Sequence, residues 1–234
     1  MSVDDKVTII SGASGGLGQT VSEIFYQAGA KVVLVGTTLG KVQALADTMD
    51  SSRSLPLAAN LMHADGAEAV VQATHDKFGR VDILLNLAGG FTGGTAVHES
   101  DGSDLDKMLA INLRTVYNMS QAAVKPMIAQ QWGRIVNTAS HDAQKGRAKF
   151  SAYGISKAAV LRLTESMAAE VKPYNVIVNA LLLSAIDTEA NRQAMPKADP
   201  SKWIKPSTIA KTVLFLCSDD LAIYGAGIPL EGKS

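Results

Sequence analysis

An apolar strand that runs straight into a glycine-rich turn and then into an amphipathic helix leaves a chain few architectures, and this chain begins that way. The strand is Lys6-Val7-Thr8-Ile9-Ile10-Ser11, the turn is Gly12-Ala13-Ser14-Gly15-Gly16-Leu17-Gly18, and Val21, Ile24, Phe25 and Ala28 share one face of the helix that follows. Gly12 allows the tight turn, Gly16 lets backbone approach a pyrophosphate, and Gly18 lets the helix pack closely on the strand. The helix N-terminus brings free N–H groups and the positive end of its dipole. A second strand, Lys31-Val32-Val33-Leu34-Val35, completes a βαβ unit, so the turn reads as a phosphate cradle rather than a flexible loop.

The alternation continues along the chain. Strands are expected near 6–11, 31–35, 54–59, 81–86, 133–138, 175–182 and 226–230, and helices near 16–28, 40–49, 65–78, 103–130, 152–172 and 207–217. Such βα order predicts a parallel sheet covered on both faces, with ligands beyond the carboxyl ends of the strands where strand order reverses. Residues 1–234 are expected to form one α/β domain, because 47% hydrophobic content supplies a sizeable core and no linker or repeat divides it. Residues 184–206, rich in Ala, Pro, Lys and Asp without a strand pattern, are expected to lid the substrate.

Charge narrows the partners. Lys plus Arg and Asp plus Glu are 22 each, which gives no electrostatic basis for binding nucleic acid or an anionic membrane. A small-molecule substrate or another copy of the chain is the expected partner. The segment Met1-Ser2-Val3-Asp4-Asp5 lacks the basic and apolar regions of a signal peptide, and the apolar stretch from Val176 to Ile186 is too short to span a bilayer. Cys217 is the only cysteine, so an internal disulfide is impossible; a cytoplasmic location is expected, with Cys217 as core filler. His63, His75 and His98 have no metal-ligand spacing with one another or with Cys217, and no metal is expected.

Chemistry is carried by Tyr153 and Lys157, which stand at i and i+4 at the start of an expected helix. That spacing puts both on one face, where the ammonium favours phenolate and lowers the phenol pKa toward neutrality. A hydroxyl from Ser140, upstream, could hold a substrate oxygen against the phenol. His141 follows Ser140 directly, but a solvated or backbone-bonded histidine is its simpler reading.

With these motifs the chain resembles the short-chain dehydrogenase/reductase family over nearly its whole length. Ser11 to Gly18 is similar to the family's cofactor motif, which implies contacts from Gly12, Ser14, Gly15, Gly16, Leu17 and Gly18. Asn86-Leu87-Ala88-Gly89 is similar to its Asn-Asn-Ala-Gly motif, which implies Asn86, Ala88 and Gly89. Asn112, Ser140, Tyr153 and Lys157 match its catalytic tetrad residue by residue. The resemblance implies a Rossmann-like doubly wound sheet of order 3-2-1-4-5-6-7 and hydride transfer between a nicotinamide and a carbonyl carbon. Tyr153 is then the general acid, Ser140 binds the substrate oxygen, Lys157 also holds the nicotinamide ribose, and Asn112 anchors a water leading to solvent. A homo-oligomer, tetramer or dimer, built on the helices near 103–130 and 152–172 is also implied. Leu183-Ser184 departs from the family's Pro-Gly and puts the backbone beside the nicotinamide in question, with Ile186 and Thr188 still expected to line the cofactor.

Cofactor choice turns on the end of the second strand. Gly36 stands where an acid would bind the adenosine ribose and repel a 2′-phosphate, which favours NADP(H), with Thr37, Thr38 and Lys41 as donors. NAD(H) is the alternative, because neither Gly15 nor Thr37 is the arginine many NADP-dependent relatives use. Asn60 and Leu61 are expected to flank the adenine. The complete tetrad favours a carbonyl reductase or alcohol dehydrogenase. Segments 87–94 and 187–203 are similar to quinonoid dihydropteridine reductases, a branch lacking the serine that Ser140 supplies, and this gives pterin reduction as one alternative. Reduction of 3-oxoacyl thioesters is another. A nucleotide-binding sensor or scaffold is the non-enzyme alternative, against which the complete tetrad argues.

Overall fold

The computed structural model describes residues 3–233. Of the expected 1–234 domain, Met1, Ser2 and Ser234 therefore lie outside the described residues, and with them the start of the segment Met1-Ser2-Val3-Asp4-Asp5. Seven strands form one sheet in the order β3-β2-β1-β4-β5-β6-β7, with every pairing parallel. The strands are β1 (Val7–Ser11), β2 (Lys31–Gly36), β3 (Ser54–Ala58), β4 (Ile83–Asn86), β5 (Gly133–Ser140), β6 (Val176–Leu183) and β7 (Gly227–Leu230).

Near-continuous apolar sequence is what a doubly covered parallel strand requires, and β6, Val-Ile-Val-Asn-Ala-Leu-Leu-Leu, is buried at every residue. Alternate side chains feed opposite faces. Ile10, Val32, Leu34, Val136 and Leu181 join one cluster with α1 (Gly16–Gln27), α2 (Leu39–Ala46) and α8 (Pro206–Leu216). Ile9, Val33, Val35, Leu84, Ile135 and Val178 join the other with α3 (Ala64–Phe78), α5 (Thr115–Ala129) and α6 (Ser151–Val171). Leu17, Val21 and Phe25, spaced by four, are the buried stripe of α1. The edges are marked chemically: Pro56 lies in β3 and Pro229 in β7, the two outermost strands, where a missing N–H leaves no ladder bond broken within the sheet.

One expected helix differs in kind. The span 103–130 divides into α4 (Ser103–Met108), a π-helical turn at Leu109–Arg114, and α5. Residues 184–206 hold a short α7 (Glu189–Ala194) and a 3₁₀ turn at Pro200–Lys202. The Leu183-Ser184 departure simply extends the sheet. Leu183 is the last residue of β6, paired with Ser140 and Leu230, and the Ser184 N–H donates to the Leu230 carbonyl at 3.2 Å. Pro at 183 would have no N–H, whereas Leu183 can remain in the ladder.

Strand order reverses between β1 and β4, so the chain leaving β1 at Gly12 and the chain leaving β4 at Leu87 diverge across a crevice.

Candidate active site

The crevice is a cleft of about 370 Å³ lined by Gly12, Ser14, Gly15, Val35, Gly36, Thr37, Ala59, Asn60, Leu61, Met62, Leu87, Ala88, Gly89, Ile111 and Thr115. Glycine is required at its floor. Gly12 has φ +72°, and a Cβ there would lie 2.8 Å from the Ala88 nitrogen, so a side chain would push β1 and β4 apart. A Cβ on Gly18 would sit 2.1 Å from the Gly12 carbonyl oxygen, which is how closely α1 packs against its own turn. A Cβ on Gly16 would come within 3.1 Å of Thr188, which places the segment after β6 on the rim. Helix α1 follows Gly15 at its N-cap, with neither a side-chain cap nor an acidic residue in its first turn. Its N-terminal donors and dipole therefore suit a pyrophosphate, and the shape and lining of the cleft fit a nicotinamide dinucleotide.

The expected cofactor residues separate into groups. Gly12, Ser14, Gly15, Thr37, Asn60, Leu61, Ala88 and Gly89 line the cleft, whereas Gly16, Leu17, Gly18, Thr38, Asn86, Tyr153, Lys157, Ile186 and Thr188 do not. Leu17 is buried in the core of α1. Asn86 points inward, its amide donating to Asn137 at 2.8 Å and Ser120 at 3.1 Å. Asn137 in turn donates to Thr164 at 2.9 Å, so this buried ladder ties β4, β5 and α6 together. Val35, Ala59, Met62, Ile111 and Thr115 line the cleft without having been expected there. Ala59 and Met62 follow the end of β3, whereas Val35 lies within β2, Ile111 in the π-helical turn and Thr115 at the start of α5, and the residue types of all five carry no chemical mark.

Lys157 and Tyr153 lie on the first turns of α6, with Ser140 at the end of β5 facing them. The Ser140 hydroxyl faces the Tyr153 phenol closely enough to favour its ionised form, and it accepts from the Asp142 N–H at 3.2 Å. Lys157 is only 4% exposed, and its amine donates to the Thr138 carbonyl at 2.8 Å. Burial, with no anion beside it, brings its pKa from 10.5 to about 8.

The phenol departs from expectation. Burial raises the Tyr153 pKa above its ordinary value, Ser140 opposes that rise, Asp142 adds to it and Arg147 opposes it. The expected lowering by Lys157 is absent because the amine turns to Thr138 and stands 5.9 Å from the phenol ring centroid. Near neutrality the chain alone therefore holds a protonated phenol.

Asn112 is buried in the π-helical turn, which aims its amide across the site. Its Oδ1 accepts from the Gly90 N–H at 2.8 Å, while its Nδ2 donates to the Gly90 carbonyl at 3.1 Å and the Ser156 hydroxyl at 3.0 Å. Both amide hydrogens are used, leaving one lone pair for the water the tetrad pattern implies. Ser156 was missed in the sequence, although it sits between Tyr153 and Lys157, and it also donates to the Tyr153 carbonyl at 2.7 Å. A Cβ on Gly89 would lie 2.8 Å from Asn112 Oδ1 and 3.4 Å from Lys157 Nζ, so the chain after β4 runs directly over both. His141 is paired with Glu231, Nδ1 to Oε1 at 3.4 Å, away from the Tyr153–Ser140 contact.

Among the described residues no group of three or more His, Cys, Asp or Glu is placed to hold a metal. None of the described helices is long and apolar enough to cross a membrane. Burial and a raised pKa make Cys217 an unreactive core thiol.

A family model described as short chain dehydrogenase matches residues 6–199. The NAD-dependent glycerol dehydrogenase of Listeria innocua is 33% identical over 98% of this chain and 94% of its own length. The 3-oxoacyl-[acyl-carrier-protein] reductase FabG of Vibrio cholerae is 30% identical over 99% of this chain and 98% of its own. Among solved structures, levodione reductase superposes with a TM-score of 0.90 at 29% identity, covering 98% of this chain and 97% of that one. These relatives lend no support to the local resemblance to dihydropteridine reductases.

Proposed function

The chain belongs to the short-chain dehydrogenase family and is an NAD(P)-dependent oxidoreductase acting on a carbonyl/alcohol pair, and on that premise we propose that Tyr153, Ser140, Lys157 and Asn112 perform a carbonyl reduction favouring NADPH. The observation that carries this reading is the convergence of the Ser140 hydroxyl at the end of β5, the Tyr153 phenol and buried Lys157 on α6, where Gly89 leads out of the dinucleotide cleft. When bound, the nicotinamide supplies the hydride that the carbonyl carbon receives. Ser140 orients the carbonyl oxygen, and the protonated phenol of Tyr153 donates its proton to that oxygen as charge develops on it. Lys157, held on the Thr138 carbonyl and 3.4 Å from where a Cβ on Gly89 would be, serves the nicotinamide ribose rather than the phenol. Asn112 is a positioning residue, fixing Gly90 on one side and Ser156 on the other.

Preference for NADPH is supported at the β2 end. Gly36 carries no acid, Ser14 Oγ lies 3.4 Å from where a Cβ on Gly36 would be, and Thr37 lines the same part of the cleft. The N-terminus of α2, with no acidic residue in its first turn, adds donors for a 2′-phosphate. We assign residues 1–234 to a single domain. A homo-oligomer is supported by Tyr117 on α5 and Ile155 on α6, which are exposed apolar side chains. A cytoplasmic location is supported by the single cysteine.

The test is turnover of NADPH and NADH with an aryl ketone, vicinal diketones and a 3-oxoacyl thioester. NADPH-dependent reduction of a ketone or diketone is expected. Preference for the thioester would favour the FabG-like reading. Tight dinucleotide binding with no carbonyl turned over would overturn catalysis in favour of a sensor.

A further inference from the structure

The four-residue run Ala88-Gly89-Gly90-Phe91 leads from the dinucleotide cleft, past Lys157 and Asn112, to the phenol of Tyr153. At its end Phe91 is 59% exposed, yet its ring centroid lies 5.0 Å from that of Tyr153 at 72° and 5.5 Å from that of Phe150 at 36°. Exposure here does not come from a slack loop. On one side of Phe91, Asn112 holds both the N–H and the carbonyl of Gly90; on the other, the Gly94 N–H donates to the Lys149 carbonyl at 2.8 Å. Gly93 is pressed against Phe150 closely enough that a Cβ would lie 2.8 Å from the ring.

Phe150 is itself backed. The Arg147 guanidinium carbon lies 3.6 Å from its centroid, and Arg147 is neutralised by Asp142 at 2.9 Å. The result is a fixed aromatic surface, left in water and adjoining the proton donor, with the guanidinium behind it already paired. Apolar area held rigid beside a reacting group has no partner within the chain, and a substrate ring that covered it would remove both surfaces from water.

We propose that Phe91, backed by Phe150, determines specificity: it is the platform on which a flat ring attached to the reacting carbonyl lies, so that aryl carbonyl compounds are preferred to small ones with the same reacting unit. This rests on the reading of Tyr153 as proton donor, which locates the carbonyl.

The test compares 1-phenyl-1,2-propanedione with 2,3-butanedione, which share a vicinal dicarbonyl and differ by phenyl against methyl. The expected kcat/KM ratio favours the phenyl compound by ~10-fold or more. Phe91→Ala should collapse that ratio to within about threefold through KM, and Phe91→Trp should restore it. Any common effect of the truncation on Tyr153 cancels in the ratio. A second readout is independent of turnover: calorimetric affinity of the phenyl diketone for Tyr153→Phe protein saturated with NADPH, which Phe91→Ala should weaken ~10-fold. An unchanged ratio and affinity in Phe91→Ala would overturn the platform. Phe91-dependent binding of the phenyl diketone with no turnover of either compound by the unaltered protein would support the platform and overturn the catalytic reading instead.

Discussion

Replacing Lys157 by Met should make the unliganded protein respond to pH in a way that isolates the cost of its buried charge. The amine is almost wholly buried, and the shift from 10.5 to about 8 means the fold disfavours the charged form by about 3 kcal/mol. The sign follows from proton counting. Below about pH 8 lysine is charged in both states and the folded state carries the full penalty; between 8 and 10.5 the unfolded chain binds more protons, so stability rises with pH. Above 10.5 the penalty has vanished. Met carries no charge but leaves the Thr138 carbonyl without its donor, at a cost of ~1–3 kcal/mol. Lys157→Met should therefore be as stable as the original or up to ~2 kcal/mol more stable at pH 7, and ~1–3 kcal/mol less stable near pH 11. Urea unfolding followed by circular dichroism, run on both proteins across this range, measures the swing of about 3 kcal/mol between them. A stability difference independent of pH would refute the claim that a charged lysine is held there without compensation. The variant should also lose affinity for reduced cofactor and most of its turnover, the exchange of stability for function expected at an active site.

Gly36→Asp alone should destabilise the protein by ~1–3 kcal/mol, since its Cβ would meet Val42 Cγ1 at 2.8 Å. Combined with Val42→Ala it should move the kcat/KM ratio toward NADH by ~10–1000-fold, and an original protein that already prefers NADH would contradict the assignment. Gly18→Ala should lower stability by ~3 kcal/mol and weaken dinucleotide affinity together, because the new methyl would strike the Gly12 carbonyl; thermal unfolding and cofactor titration measure both. Asn112→Ala should cost ~2–4 kcal/mol and speed hydrogen exchange at Gly90, whose N–H would lose its acceptor.

Much of this was written in the chain in forms that survive without a structure. A glycine turn between an apolar strand and an amphipathic helix permits one local packing, so Gly12 and Gly18 were legible from their positions, and strand positions followed from uninterrupted apolar runs such as that of β6. The π-helical turn was not legible: Leu109 to Arg114 has ordinary helix-forming residues, and the local signature of the turn is tertiary, the bonds Asn112 makes to Gly90 and Ser156. Nor was the direction of the phenol shift. The spacing of Tyr153 and Lys157 places both on one helix face but says nothing of the Thr138 carbonyl, which comes from β5 and captures the amine. The direction of the Asn86 side chain was hidden for a related reason: Asn137 on β5 and Ser120 on α5 draw it inward. Phe91 lay in plain view as an aromatic flanked by glycine pairs, but its meaning depends on Tyr153 and Phe150, which are distant in sequence.

The central claim, that Tyr153 delivers the proton in a carbonyl reduction, is tested most directly by single-turnover oxidation of bound NADPH in Tyr153→Phe. With a ketone that the original protein reduces, the rate should fall ~10²–10⁴-fold while the Kd for NADPH stays within about twofold, because the phenol serves the reacting oxygen and not the cradle at Gly12 to Gly18. Turnover close to that of the original protein would contradict the claim.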